Sequence, residues 1–420
     1  MTDPLAYPVD ATDPDEQASA HPAVPLDAAD PLAPLVDRFV PAGDVVSYLD
    51  GNSLGRPVAA TRARLAEFVD EAWGTRLIRS WDERWMALPT ELGDRIGAAC
   101  LGAAPGQTVV ADSTTVLLYK AIRAALRARP DRHEIVIDDD QFPTDRFVVE
   151  GIAREHGATI RWIAVDKAAG VTVDQVGDVV GPDTALLIVN HVSYRSGWLV
   201  DLPAITALVH EAGGLVLADL CHSVGVVPMQ LDDWGVDLAV GCTYKYLNGG
   251  PGAPAFVYAR ASLLPELDQP IQGWMGAADV FAMADGYQPA DGIRRFVSGT
   301  PPVLGMLAMH DMLDLIDEAG IDAVRAKSLA LTDYAFDLVD AWLVPLGVTV
   351  ATPREADRRG SHVTITHDSF REVVATLWQA GVVPDFRNPD ALRIGLSPLS
   401  TSFAELRLGI AAIRAALLAG

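Results

Sequence analysis

Only four lysines occur in the 420 residues, and they are not equivalent. Lys120 and Lys327 fall in helical patterns and Lys167 in a polar turn, whereas Lys245 follows the apolar run Leu238 to Cys242 and precedes Asn248-Gly-Gly-Pro-Gly252. An amine placed just past a buried strand loses solvation of its charged form and gains nucleophilicity. Taken alone, a lysine at a strand end also suits snorkelling to water. Upstream, Gly214-Leu-Val-Leu-Ala-Asp219 delivers a carboxylate at the end of another apolar run. Strand, aspartate, short gap, strand, lysine meets the needs of pyridoxal phosphate (PLP). The amine forms a Schiff base, and the carboxylate keeps the pyridine nitrogen protonated so that the ring accepts electrons. A helix-capping role for Asp219 is the alternative.

A phosphate needs donors, and Ser113, Thr114 and Thr115 lie where the strand Thr108 to Ala111 hands over to a helix, whose first N–H groups favour an anion. Ordinary N-capping uses the same residue types. Phe142-Pro-Thr-Asp145 follows the strand Glu134 to Asp138 and puts an aromatic ring and an acid at a strand's carboxyl end, where open α/β sheets bind ligands. Phe142 suits stacking on a pyridine ring or packing in a core. His222, three residues past Asp219, suits contact with a phosphate or with the aspartate, or a satisfied core position.

The elements that must position these residues alternate short β-rich runs with amphipathic segments, which is the pattern of a parallel sheet covered by helices. Further strands are expected at Thr159 to Ala164, Ala185 to Asn190 and Ala255 to Tyr258, each short and apolar enough for burial on both faces. Helices are expected at Thr144 to His156 and Pro203 to Ala212. After Gly299-Thr-Pro-Pro302 the texture changes to long helices, β-rich stretches and a closing helix from Phe403 to Leu418, which reads as a smaller α+β domain. The expected division is an acidic, proline-rich leader over 1–42, a large domain over 43–300 and a small domain over 301–420, with the start of the large domain free to pack against the small one. The leader holds eight prolines and eight acids against a single Arg38, a composition that resists helix and strand, so it is expected to be loose and ordered only where it docks.

Composition narrows the function classes. A formal charge of −24, from 56 acids and 32 bases, disfavours nucleic acid and anionic membranes as partners. Cys100, Cys221 and Cys242 are too few and too irregularly spaced for a disulfide framework, which fits a cytoplasmic protein. The nine histidines form no zinc-ligand spacing, so no metal is expected.

The set Asp50-Gly-Asn-Ser-Leu-Gly55, Phe142-Pro-Thr-Asp145, Asp219-x-x-His222-Ser223, Gly241-Cys-Thr-Tyr-Lys-Tyr-Leu-Asn-Gly-Gly-Pro-Gly252, Gly273-Trp274 and Gly299-Thr-Pro-Pro302 occurs in order and resembles kynureninases, PLP enzymes of the aspartate aminotransferase type (fold type I). The resemblance spans roughly residues 45–400. It implies a large domain with a mostly parallel seven-stranded sheet, and hydrolysis of L-kynurenine, or its 3-hydroxy form, to anthranilate or 3-hydroxyanthranilate and L-alanine. It implies that Lys245 carries PLP, Asp219 pairs with the pyridine nitrogen and Phe142 stacks on the ring. Thr114, Thr115, His222 and Tyr244 would surround the cofactor and its phosphate, with Asp145 and Asn190 near the ring. Tyr244 is the candidate for proton transfer, Arg393 for the substrate carboxylate and Trp81 for the aryl ring. Trp274 and Thr300 would reach in from the second subunit of a homodimer. The chain departs from the family at Gly273-Trp-Met-Gly-Ala277, where many members end in His, and at Ser193-Tyr-Arg-Ser196, where Asn-Tyr-Arg-Thr is usual. The nearest rivals are a cysteine desulfurase-like lyase, which would want a cysteine after Cys242, and a non-catalytic PLP-binding protein.

Overall fold

The computed structural model describes residues 21–419. The first strand, β1 (Ser47–Leu49), is followed by seven that form one sheet: β2 (Thr108–Ala111), β3 (Glu134–Asp138), β4 (Thr159–Ile163), β5 (Thr184–Asn190), β6 (Leu215–Asp219), β7 (Leu238–Gly241) and β8 (Ala255–Ala259). Their order is β2-β8-β7-β6-β5-β3-β4, and β8 alone runs antiparallel to its neighbours. Helices cover both faces, so β5, β6, β7 and β8 are buried along their whole length and divide their side chains between two apolar cores. The expectation of two-sided burial fails at β4. As the edge strand it leaves Thr159, Arg161 and Trp162 exposed and buries only Ile163 fully.

Four later strands, β9 (Thr349–Val350), β10 (His362–Thr366), β11 (Val382–Arg387) and β12 (Ala391–Gly395), form a second sheet in the order β1-β11-β12-β10-β9. β1 pairs in parallel with β11, so the start of the chain is woven into the sheet of its end. The helices Ile321–Trp342 and Phe403–Ala419 back this sheet with a third core.

Residues 1–20 of the expected leader lie outside the described residues. The remainder is more regular than its composition suggests: Val24–Ala29 form a helix with a proline in its first turn, because tertiary contacts outweigh local propensity. Leu32, Leu35 and Phe39 are buried, and Asp30 pairs with the buried Lys327 at 2.7 Å. Asp27 accepts hydrogen bonds from the backbone N–H groups of Phe403 (2.8 Å) and Ala404 (2.9 Å), and so caps the closing helix from another part of the chain. Replacement of an N-cap acceptor by alanine typically costs about 1 kcal/mol. Asp27→Ala is therefore expected to lower stability by about that amount in urea unfolding, with little change in the dependence on denaturant.

Candidate active site

The carboxyl ends of β3, β5, β6 and β7 lie side by side, and each delivers a candidate residue. Register pairs Asp219 at the end of β6 with Val240 on β7. The chain beyond each strand then brings His222 and Lys245 together, with Lys245 Nζ 2.9 Å from His222 Nε2. The turn after Lys245 needs its glycines: Gly250 and Gly252 have φ of 89° and 74°, a region that L side chains rarely adopt. Asp219 is buried, and one of its oxygens accepts from the Cys221 N–H at 2.8 Å.

Asp145, one turn into the helix Pro143–His156, is fully buried and shares a hydrogen bond with the Asp219 carboxyl. Burial, and then the charge of Asp219, hold Asp145 well above the usual carboxylate range. A carboxyl buried beside a second one holds on to its proton. Gln141 Nε2 donates to Asp145 (3.2 Å), and Asn190 Nδ2 donates to Gln141 Oε1 (2.8 Å). This line of side chains fixes the pair from the ends of β3 and β5. Phe142 heads the same helix and meets Tyr194 edge to face at 5.3 Å between ring centres.

Ser113 caps the helix Thr114–Ala128 by accepting from the Val116 N–H at 3.4 Å. Thr114 is half-buried and Thr115 exposed at that helix start. Lys120, on the same helix, is fully buried and tied to Asp112 (2.5 Å) and the Phe296 carbonyl (2.7 Å), a structural position as its helical pattern implies. Tyr244 is half-buried, its carbonyl accepts from the Gly55 N–H at 2.9 Å, and burial pushes its hydroxyl above the usual phenol range.

The second sheet supplies Arg393, which lies on β12 between β11 and β10 and is almost fully buried. Its Nε donates to Asp385 (2.7 Å), Nη1 to the Tyr194 carbonyl (2.6 Å) and Nη2 to Ser53 Oγ (3.0 Å). Arg387 shares Asp385 at 2.7 Å. Ser53 belongs to the Asp50–Gly55 stretch, which packs so closely on β12 that a Cβ at Gly395 would fall 1.8 Å from Asn52 Oδ1. Burial and the nearby Asp385 push Asp50 up to about 6.

Thr114 and Thr115 stay at their own helix start, with no hydrogen bond to Lys245 among the described residues, and three further expected site residues lie apart from this group. Trp274 is 45% exposed, with Phe281 as its ring neighbour, and Thr300 is exposed. Trp81 meets Trp85 edge to face at 5.2 Å and lines an apolar hollow with Phe68, Trp73, Leu77, Ile78 and Pro301. Among the described residues, no hydrogen bond or ring contact ties any of the three to Lys245. Conversely, sequence reasoning gave no role to Gln141, Asp385, Ser53 or His362. Gln141 directly precedes Phe142, and Ser53 sits inside a quoted motif, so both were within reach. Asp385 carries no signal of its own, since only the β11–β12 pairing sets it opposite Arg393.

The aminotransferase class-V family matches residues 95–382, and the chain belongs to that family. Kynureninase from Pseudomonas fluorescens is 43% identical over 390 residues, 91% of each chain. Kynureninase from Burkholderia pseudomallei (strain K96243) is 40% identical over 390 residues, 91% of this chain and 92% of that one. Within the class-V aminotransferases, the chain belongs with the kynureninases. Among solved structures, the cysteine desulfurase CsdA from Escherichia coli superposes with a TM-score of 0.78 at 18% identity, covering 92% of this chain and 98% of that one. The apo cysteine desulfurase from Thermococcus onnurineus NA1 gives 0.77 at 15%, covering 92% and 96%. These likenesses establish the fold, which is the α/β, fold type I arrangement expected from the sequence.

The raised Asp50 yields a prediction with a definite sign. An acid whose folded pKa lies above its unfolded value favours the folded state while protonated and opposes it once ionised, so its contribution falls as pH rises from the ordinary carboxylate range to about 6. Asp50→Asn keeps the neutral shape. Its stability relative to the parent, from urea unfolding across pH 4 to 8, is expected to improve through that window and level off above it.

Proposed function

We propose that this chain hydrolyses the Cβ–Cγ bond of L-kynurenine to anthranilate and L-alanine, with PLP carried on Lys245. The observation that carries the reading is the meeting of the Lys245 amine with His222 at 2.9 Å, three residues past the buried Asp219, while the charge of Arg393 acts on the same histidine from the second sheet.

The residues suit the cofactor's parts. Asp219 presents a buried carboxylate for the pyridine nitrogen, with Asp145 and Asn190 behind it and Phe142 to stack on the ring. Thr114 and Thr115 at a helix start are the donors for the phosphate. When bound, PLP supplies an electron sink that stabilises negative charge at the substrate's Cα. The Lys245 amine would be the base that takes the Cα proton. Arg393 binds the α-carboxylate through its planar fork. Tyr244, kept protonated by burial, donates to the oxyanion formed when water adds to the γ-carbonyl.

The same reading includes a homodimer. Trp73, Leu77, Ile78, Trp274, Phe281 and Leu304 are large apolar side chains left exposed, more than an isolated surface normally presents. A second copy covers them, bringing Trp274 and Thr300 to the partner's site and leaving Trp81 near the aryl ring. A cytoplasmic setting is supported by three free cysteines. All three are buried and none follows Cys242, so the desulfurase likeness does not extend to chemistry on a cysteine.

A visible absorption band that Lys245→Ala alters, with anthranilate fluorescence from L-kynurenine that Lys245→Ala abolishes, is the expected result. A band without either anthranilate or 3-hydroxyanthranilate would move the assignment to another PLP activity. Arg393→Lys keeps the charge but loses the fork, and is expected to raise KM for L-kynurenine about 10-fold or more. Lys245→Ala and Trp274→Ala are each expected to be impaired alone and to regain activity when refolded together, because mixed dimers hold one intact shared site.

A further inference from the structure

Three imidazole nitrogens lie buried beside Lys245 with no protein partner. His362, the first residue of β10, is fully buried and leaves both Nδ1 and Nε2 unpaired, and His222 leaves Nδ1 unpaired while its Nε2 meets Lys245. The two rings face each other with centres 5.6 Å apart and planes at 59°. The backbone fixes His362 in this place. Register sets it opposite Gly395, two residues from Arg393 on β12, and Gly197 packs so near that a Cβ there would lie 3.3 Å from His362 Nε2.

A count of donors decides what the pair does. A lysine ammonium offers only donors, so facing one, His222 Nε2 accepts and the imidazole proton sits on Nδ1. That buried N–H needs an acceptor, since a buried donor left unsatisfied is costly. The charged and titratable groups acting on His362 are Arg393 from β12, Lys245 from the loop after β7 and Arg387 from β11, with the His222 ring alongside. The acids Asp50 and Asp385 act on Arg393 instead. Buried among cations, His362 stays neutral and keeps one bare nitrogen. Buried polar groups left without a protein partner in this way are commonly satisfied by an ordered water.

We propose that His362 is a positioning residue for Lys245: through a shared buried water it accepts the His222 Nδ1 proton, fixing the tautomer whose Nε2 receives the Lys245 N–H. The inference rests on the reading that Lys245 carries PLP and acts as base. After the lysine takes the Cα proton, His222 is the acceptor that holds the new ammonium in place, so His362 acts on turnover and not on substrate capture.

The test uses PLP-loaded enzyme. His362→Phe, which keeps bulk without an acceptor, is expected to lower kcat about tenfold with KM within about twofold. His362→Gln, whose side-chain carbonyl accepts, is expected to recover most of the loss. Nitrogen-15 NMR of histidine-labelled parent enzyme saturated with L-alanine, which frees the Lys245 amine, is expected to show His222 protonated at Nδ1 and bare at Nε2. The opposite tautomer overturns the proposal whether or not the variants fold. So does a His362→Phe enzyme with parental kcat, or a His362→Gln enzyme no better than His362→Phe. A parent protein with no visible band after PLP is added would instead overturn the PLP reading, and this inference with it.

Discussion

Parallel register between β6 and β7 is the constraint on which the site depends. Both strands are apolar and buried on both faces, so neither has a polar face that would tolerate exposure. A slip of one residue would turn every side chain to the opposite core. With Ala218 opposite Ala239 and Asp219 opposite Val240, the chain leaves both strands at the same level. The short segments that follow then bring His222 and Lys245 to hydrogen-bonding distance. The other acid is placed by the same logic one layer across, where Gln141 and Asn190 at the ends of β3 and β5 hold Asp145 against Asp219.

The second sheet completes what the first begins. Arg393 sits in the interior of that sheet, and its guanidinium is oriented by Asp385 on β11, by the Tyr194 carbonyl of the large sheet's loops and by Ser53 of the Asp50–Gly55 stretch. Those three contacts come from three distant parts of the sequence. The close approach of Asn52 to Gly395 and of Ser397 to Gly51 leaves no room for side chains at the two glycines. The pairing of β1 with β11 delivers that stretch to the site, which explains why residues near the start of the chain belong to the architecture of its end.

Much of this was legible from residue types and spacing. Asp219 and Lys245 announce themselves because a carboxylate or an amine at the end of a buried apolar run is costly without a purpose, and the strand ends were readable to within a residue or two. β4 was misjudged because an apolar run such as Thr159–Ile163 does not reveal whether another strand will pair outside it. The helix at Val24–Ala29 was hidden by proline and acid content, since what holds it is Asp27 on the closing helix and Asp30 on Lys327. His362 was invisible for a related reason: nothing in the run His-Val-Thr-Ile-Thr distinguishes a site histidine from a core one until β10 pairs with β12.

Burial decides the charge state of the site more than any single pair does. Desolvation pushes Asp138 up to about 7 and Asp50 up to about 6, holds Asp145 above the carboxylate range, and keeps His222 and His362 well below the imidazole range. Groups able to shed charge are therefore driven toward neutrality. Guanidinium groups resist that loss, so Arg393 and Arg387 persist as fixed positive charge and take Asp385 as their partner. Fixed guanidinium charge is thus kept beside Lys245 within a chain whose formal charge is −24. Positive charge held in this way is what a phosphate and a substrate carboxylate need where they bind.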